Sequence, residues 1–268
     1  MKYWSLVMFD FFKRKTPKLQ KTEIKEVNIS DFENIDRLMD AFKEETGIEF
    51  DQKKSIFQNK VVNFAKNNGV ESISDCIDIM KSRSGELKEK LIDVLTTNET
   101  YFYREVLQIE NMAKEVKQNG TKVRILSAPC ATGEEPYTIA IALLEAGVNE
   151  NDFEIVAIDI NKYAVEFGAK GCFREKSLRR TTQEIREKYF HLREGNFCIK
   201  DYIRSRVVFQ SVNIFDKEFQ NLGKFDYIYS RNMLIYFDYE TKLKVKALLE
   251  GMLKDKERGV YFGHADLF

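Results

Sequence analysis

Two rhythms of hydrophobic and polar positions divide the chain. From Ser30 to Lys117 apolar residues recur at three- and four-residue spacing with no proline among them, the signature of helices buried along one face. Ser30, with Glu33 three residues on, predicts a capped helix start, and Ile35, Leu38, Met39 and Phe42 mark its buried stripe up to Gly47. A second helix is expected from about Gln52 to Asn67, burying Ile56, Val61, Val62 and Phe64 and showing Lys53, Lys54, Lys60 and Lys66 to solvent. Ser74 to Lys81 and Leu87 to Leu95 supply two more. Asn98 or Thr97 can then cap a helix running through Met112 and Val116, on which Thr100 and Arg104 would share a face.

Beyond Lys122 the rhythm changes. Val123, Ile125 and Leu126 form a short apolar run that reads as a buried strand, followed by the small-residue turn Ala128 to Gly133. A helix follows, with Glu134 and Glu135 in its first turn, where negative charge is favoured, Pro136 where no N–H is needed, and Ile139, Ala140, Leu143 and Leu144 at helical spacing. Further strands are predicted at Phe153–Ile160, Val207–Ile214, Phe225–Ser230 and Gly259–Gly263, with helices at Asn161–Lys170 and Glu240–Lys254. From Gly171 to Arg206 the alternation breaks, and Phe197, Ile199, Tyr202 and Ile203 indicate a small β-rich insertion. Strands alternating with helices imply a mostly parallel sheet covered on both faces. The expected divisions are a mobile lead-in at 1–29, a helical domain at 30–95, a linker helix at 96–120 and an α/β domain at 121–268, with the insertion at about 172–206.

Composition narrows the function. Lysine plus arginine and aspartate plus glutamate both number 43, and a net charge near zero argues against a general nucleic-acid binder. Cys76, Cys130, Cys172 and Cys198 lie far apart without a C-x-x-C, which fits reduced thiols better than a disulfide framework or zinc site. With only His191 and His264, a histidine metal cluster is not expected. Met1 to Phe12 is apolar but interrupted by Lys2 and Asp10, too short to span a bilayer and without a cleavage pattern; MFDFFKRK from Met8 is itself a plausible start. These features point to a soluble cytoplasmic protein.

The turn after the first strand has one glycine, so it matches neither a G-x-G-x-x-G nor a P-loop. Strand, tight turn and helix start is nevertheless where an α/β sheet holds a nucleotide-like ligand, and Asp159, at the tip of the second strand, stands where such folds grip ribose hydroxyls. The predicted strand tips gather Gly133, Glu134, Asp159, Asn213, Ser230 and Arg231, with no base among them. That set suits methyl transfer from S-adenosylmethionine to a carboxylate, since a glutamate with a pKa near 4.3 is already ionised at neutral pH.

Three blocks carry a family resemblance. Thr96-Thr97-Asn98-Glu99-Thr100-x-Phe102-x-Arg104-Glu105, Thr132-Gly133-Glu134-Glu135-Pro136-Tyr137 and the run from Phe225 to Asp238 are similar, in order, to the signature blocks of the chemotaxis receptor methyltransferases, the CheR family. The resemblance implies an all-α N-terminal domain, a linker and a Rossmann-like S-adenosylmethionine-dependent methyltransferase domain with a small inserted antiparallel β-subdomain. It implies methyl esterification of glutamates on chemoreceptor cytoplasmic methylation helices, with S-adenosylhomocysteine as product and neither metal nor membrane insertion. Carried over, Asn98, Thr100, Arg104, Glu134, Asp159, Asn213, Ile214, Ser230 and Arg231 would contact the cofactor, and Arg104 and Tyr236 would lie closest to the transferring methyl. Departures are Pro129 in place of a glycine, Leu107-Gln108 in place of a histidine pair, and Gly263-His264-Ala265-Asp266 where a serine and a glutamate are usual. The short stretch from His191 to Ile199 implies independence of a receptor C-terminal tether, and the lysines of the second helix are candidates for receptor docking. A methyltransferase with a non-receptor substrate and a cofactor-binding regulatory module remain as other classes.

Overall fold

Side-chain alternation along the central strands sorts the α/β domain into two cores. The computed structural model describes residue 29, residues 31–50 and residues 53–266; the expected lead-in up to residue 28, the Ser30 cap and the helix start at Gln52 lie outside the described residues. Ile29, the last residue of that expected lead-in, is buried in the helical core. Four helices come first: α1 Ile35–Thr46, α2 Lys54–Asn68, α3 Ile73–Lys81 and α4 Glu86–Leu95. After them run α5 Val106–Asn119, β1 Val123–Ser127, α6 Glu134–Glu145, β2 Phe153–Asp159 and α7 Lys162–Lys170. The insertion holds β3 Cys172–Phe173, α8 Gln183–Tyr189, β4 Phe190–Arg193, β5 Asn196–Ile199 and α9 Asp201–Arg204. The chain closes with β6 Val207–Ser211, α10 Lys217–Gln220, β7 Tyr227–Ser230, α11 Tyr239–Gly251 and β8 Tyr261–Phe262.

The main sheet is parallel throughout, in the order β6-β2-β1-β7-β8. Val123, Ile125, Ile155, Ala157, Tyr227 and Tyr229 point into one core with α5 and α6; Leu126, Val156, Ile158 and Ile228 point into the other, with Val245 and Leu249 of α11. The chain steps outward from β1 through β2 to β6, then returns to the far side of β1 as β7. That reversal opens a crevice beyond the C-terminal ends of β1 and β7, where open α/β sheets bind ligands.

The helical domain has its own core around Leu38, Phe42, Phe57, Val61, Phe64 and Leu91, with Phe50 edge-on to Phe57. It is latched to the α/β domain by Asn213 Nδ2 donating to the Glu45 carbonyl at 2.8 Å, by Glu49 N donating to the Tyr236 carbonyl at 2.8 Å, and by Asn161 Nδ2 donating to Thr96 Oγ1 at 2.7 Å.

Four sequence expectations are corrected. The linker helix does not begin at Thr97 or Asn98; regular helix starts at Val106, after a turn in which Tyr103 and Glu105 take positive φ. The reason is tertiary: Phe102 is buried edge-on between Phe173 and Phe190, its N–H donates to the Ser177 carbonyl, and Tyr103 N donates to Thr138 Oγ1. In α2 Phe57 joins Val61 and Phe64 in the core in place of Ile56, which is half exposed. Lys60 is not a free surface charge: its ammonium donates to the carbonyls of Leu95 at 2.9 Å and Thr96 at 3.0 Å. Cys172 and Cys198 are not reduced thiols but a disulfide, because antiparallel β3 and β5 place them directly opposite each other with Cα atoms 4.0 Å apart.

The insertion is the expected antiparallel subdomain, ordered β3-β5-β4. Its β4–β5 hairpin turns on Glu194-Gly195, both at positive φ, between paired Arg193 and Asn196. That is the tight two-residue connection in which both central residues take left-handed backbone.

Candidate active site

The first loop is built around Gly133. At φ 97°, in the left-handed region, it is strained for any residue with a Cβ, and an added Cβ would meet Gly168 Cα at 3.0 Å and the Phe209 ring at 3.0 Å. Glycine therefore lets α6 start hard against α7. Tyr137, fully buried, fastens the same junction by donating to the Gly168 carbonyl at 2.9 Å.

Helix phase then separates the two glutamates. Glu134 points away from the crevice, accepting from Thr132 Oγ1 at 2.6 Å, and burial raises its pKa, partly opposed by hydrogen bonds from Thr132 and Ser177 and by the charge of Arg179. Glu135 faces the crevice. It accepts from Ser127 Oγ at 2.8 Å and forms a buried ion pair with Arg231 Nε at 2.5 Å. Arg231 Nη1 in turn donates to the carbonyls of Arg104 at 2.9 Å and Glu105 at 3.0 Å. One buried guanidinium thus ties the tip of β7 to the first turn of α6 and to the linker.

Asp159 ends β2. Its Oδ2 accepts from Ala131 N at 2.8 Å and Oδ1 from Asn161 N at 2.9 Å, so the carboxylate fixes the first loop and the start of α7. Burial pushes its pKa up to about 6, with the backbone N–H groups of Asn161 and Ala131 pulling against it and the charge of Asp93 adding to the rise. The loop after β7 is held from the chain's end: Asp266 accepts from Leu234 N at 2.8 Å and Gly263 N at 3.1 Å, and from Asn232 N.

These pieces enclose a cavity of about 350 Å³. Asn98, Thr100, Arg104, Asp159, Asn213, Ile214, Arg231 and Tyr236 all line it, so eight of the positions expected from sequence come together. Glu134 and Ser230 do not. Ser230 Oγ is buried without a hydrogen-bond partner, and Glu135 takes the place in the wall expected of Glu134. Arg231 lines the wall while its Nε and Nη1 are engaged by protein groups. Sequence reasoning missed Glu135, Asp266 and the loop Thr46–Phe50. Glu135 was available in the same motif as its neighbour, whereas no local pattern marks Thr46, Ile48 and Phe50, which reach the cavity only because the helical domain packs over it.

Region 98–268 matches the family model described as "CheR methyltransferase, SAM binding domain". The chain belongs to the CheR methyltransferase family. Over 244 residues, 91% of each chain, it is 35% identical to the chemotaxis protein methyltransferase of Campylobacter jejuni subsp. jejuni strain 81-176. It is 36% identical over 214 residues to chemotaxis protein methyltransferase 2 of Vibrio cholerae, covering 75% of this chain and 74% of that one. With the chemotaxis protein methyltransferase of Escherichia coli K12 it shares 29% identity over 259 residues, 93% and 88% of the two chains.

The cavity suits the cofactor of a CheR methyltransferase. The Asp159 carboxylate, an acceptor held by the N–H groups of Ala131 and Asn161, lines the cavity where a ribose hydroxyl would need one, while Ile158, Ile160, Val212 and Ile214 offer apolar wall for a flat base. Among the described residues no three histidines, cysteines or acids converge as metal ligands, and no helix is long and apolar enough to cross a membrane.

Proposed function

We propose that the chain transfers a methyl group from S-adenosylmethionine to glutamate side chains on the cytoplasmic methylation helices of chemoreceptors, giving glutamyl methyl esters and S-adenosylhomocysteine. The observation that carries this reading is the shared cavity of Asp159, Arg104 and Tyr236: a ribose-type acceptor, a cation and a phenol line one cavity, with no histidine among its lining residues.

Bound S-adenosylmethionine supplies a sulfonium methyl electrophile. The residues do the rest by placement. Asp159 would accept from the ribose hydroxyls, with Asn213 and Ile214 at the adenine and Asn98 and Thr100 along the linker wall. An acceptor glutamate enters ionised, so no residue has to remove its proton. Arg104, whose Nη1 is held by the Glu99 carbonyl at 3.2 Å, draws that carboxylate in and aligns it. Tyr236 is half-buried, and burial raises its pKa, so it stays a neutral phenol that can donate a hydrogen bond to one carboxylate oxygen and leave the other to attack. Arg104 and Tyr236 would thus have only to aim one acceptor oxygen at the methyl that the cofactor supplies when bound, with no proton to take or give. Thr46, Ile48 and Phe50 cover the cavity from the helical domain and limit entry of water.

The reading calls on no metal and no nucleic acid, and places the protein in the cytoplasm beside its receptors. It also dispenses with a receptor tail: a hairpin turned on two residues leaves little room to clasp a peptide end. The test is to incubate the protein with methyl-labelled S-adenosylmethionine and a purified receptor cytoplasmic fragment, with and without its C-terminal tail. Base-labile label on both fragments is expected. Label on neither sinks the receptor assignment; label lost on tail removal sinks tether independence alone.

A further inference from the structure

Three guanidinium groups surround one tyrosine ring at the mouth of the cavity. Arg179 Cζ lies 3.7 Å from the Tyr101 ring centroid, Arg180 Cζ 5.4 Å and Arg104 Cζ 5.8 Å. Tyr101 and Arg104 belong to the linker and line the cavity, whereas Arg179 and Arg180 are exposed residues of the inserted subdomain. Because the distances meet at one centroid, the Arg179 and Arg104 carbons lie no more than 9.5 Å apart, the sum of the two.

Among the described residues none of the three arginines forms an ion pair. Their hydrogen bonds go to backbone: Arg104 to the Glu99 carbonyl and Arg179 to the Lys176 carbonyl. The acid that feels Arg179, Glu134, is buried and already bonded to Thr132. Stacking on one ring offsets some of the repulsion between like charges and holds the guanidinium planes in fixed positions. A concentration of unneutralised, preset positive charge beside a substrate entrance is a binding surface for anions.

We propose that the arginine cluster around Tyr101 is the docking surface for an acidic receptor helix. The acceptor glutamate enters beside Arg104, and carboxylates one turn away on the same helix meet Arg179 and Arg180. This inference rests on the receptor reading above. Its geometry is that of a helix, whose i+3 and i+4 neighbours lie about 4.5–6 Å along the axis, within the upper limit that the shared ring puts on the spacing of the guanidinium groups. Its chemistry is that of arginine, which takes carboxylates as a fork where lysine offers a point charge. The lysines of α2 are poorer candidates: Lys60 is engaged by two carbonyls and Lys54 pairs with Asp36 at 2.5 Å.

The experiment compares wild type with Arg179→Glu/Arg180→Glu and Arg179→Lys/Arg180→Lys in steady-state methylation of a receptor cytoplasmic fragment, at low and high salt. S-adenosylhomocysteine affinity by calorimetry reports that the cofactor cavity is intact. The reversal variant should raise KM for the receptor about tenfold, keep kcat within about twofold and flatten the salt dependence, with the lysine variant between it and wild type. Unchanged KM in the reversal variant of an enzyme that methylates the fragment overturns the docking surface alone. A wild type that methylates no receptor fragment overturns the receptor reading and the surface with it. Binding to anionic lipid vesicles that requires both arginines, with receptor KM unchanged, assigns the cluster to a membrane and also overturns the proposal.

Discussion

Glu135→Gln removes one charge from the centre of the site and keeps its shape. The amide can turn its oxygen to Arg231 Nε and its NH₂ to Ser127 Oγ, so both hydrogen bonds have partners and the loss is that of the counter-charge. Side-chain exposures of 3% for Arg231 and 10% for Glu135 leave little water to replace it. Breaking a buried pair in this way costs about 3–5 kcal/mol. The carbonyls of Arg104 and Glu105 still solvate the guanidinium, which places the value near the lower end, about 3 kcal/mol. For a chain of this size that is a fall in Tm of roughly 6–12 °C. Glu134→Gln next to it should cost under about 1 kcal/mol, because burial already favours the neutral form of Glu134. Thermal unfolding by circular dichroism compares the two variants directly, and calorimetry with S-adenosylhomocysteine should show weaker binding in Glu135→Gln as the linker loosens. Equal Tm values for the two variants, or a larger loss in Glu134→Gln, would refute the assignment of Glu135 and Arg231 as the internal tie.

Three further outcomes are expected. Asp159 has a folded pKa of about 6, above its unfolded value, so its neutral form favours the fold; its contribution is present below about pH 4 and is lost as pH rises from about 4 through 6. Ribose hydroxyls instead prefer the ionised carboxylate, so S-adenosylhomocysteine should bind up to about tenfold more weakly at pH 5 than at pH 7.5, and Asp159→Asn should abolish that difference; a pH-independent affinity in wild type would contradict the ribose role. Tyr236→Phe should lower kcat about tenfold or more through loss of one donor to the acceptor, with S-adenosylhomocysteine affinity unchanged, and normal receptor methylation in that variant would remove Tyr236 from the mechanism. Lys60→Ala should destabilise the protein by about 1–3 kcal/mol through loss of its bonds to the Leu95 and Thr96 carbonyls while leaving receptor KM as in wild type; a raised KM at unchanged Tm would restore Lys60 to the docking face.

How far the fold was legible depended on where each element's bonds go. The strands of the main sheet close their ladders on one another and alternate between two cores, so Val123, Ile125 and Leu126 or Phe153 to Ile158 announce themselves by composition. The segment Thr97–Glu105 does not, since its backbone is satisfied by Ser177, Thr138 and Arg231, residues far away in the chain, and cap-like Asn98 imitates a helix start that tertiary bonds override. The cysteine pair was hidden for a similar reason: a separation of 26 residues says nothing until the register of β3 against β5 is known. On α2, one position separates Ile56 from Phe57, and the helix phase that buries the second rather than the first is set by packing against Phe42 and Phe50.

The same distinction runs through the site. Asp159, Asn213 and Ile214 follow strand ends, and a strand end in a parallel sheet has one place to go, so their positions at the cavity follow from topology. The two glutamates of the first loop follow a helix, where successive residues are rotated by about 100° and only the angle of entry decides which one faces the ligand. Gly133 fixes that angle through its contacts with Gly168 and Phe209, neither of which lies in the motif. Arg231 carries the consequence further. Because it binds Glu135 on one side and the carbonyls of Arg104 and Glu105 on the other, the phase of α6 also sets where the linker places Arg104, the cation proposed to meet the substrate. Arg231, expected at the cofactor and present in the cavity wall, is thereby also the link through which the integrity of the first loop would reach the proposed orientation of the acceptor.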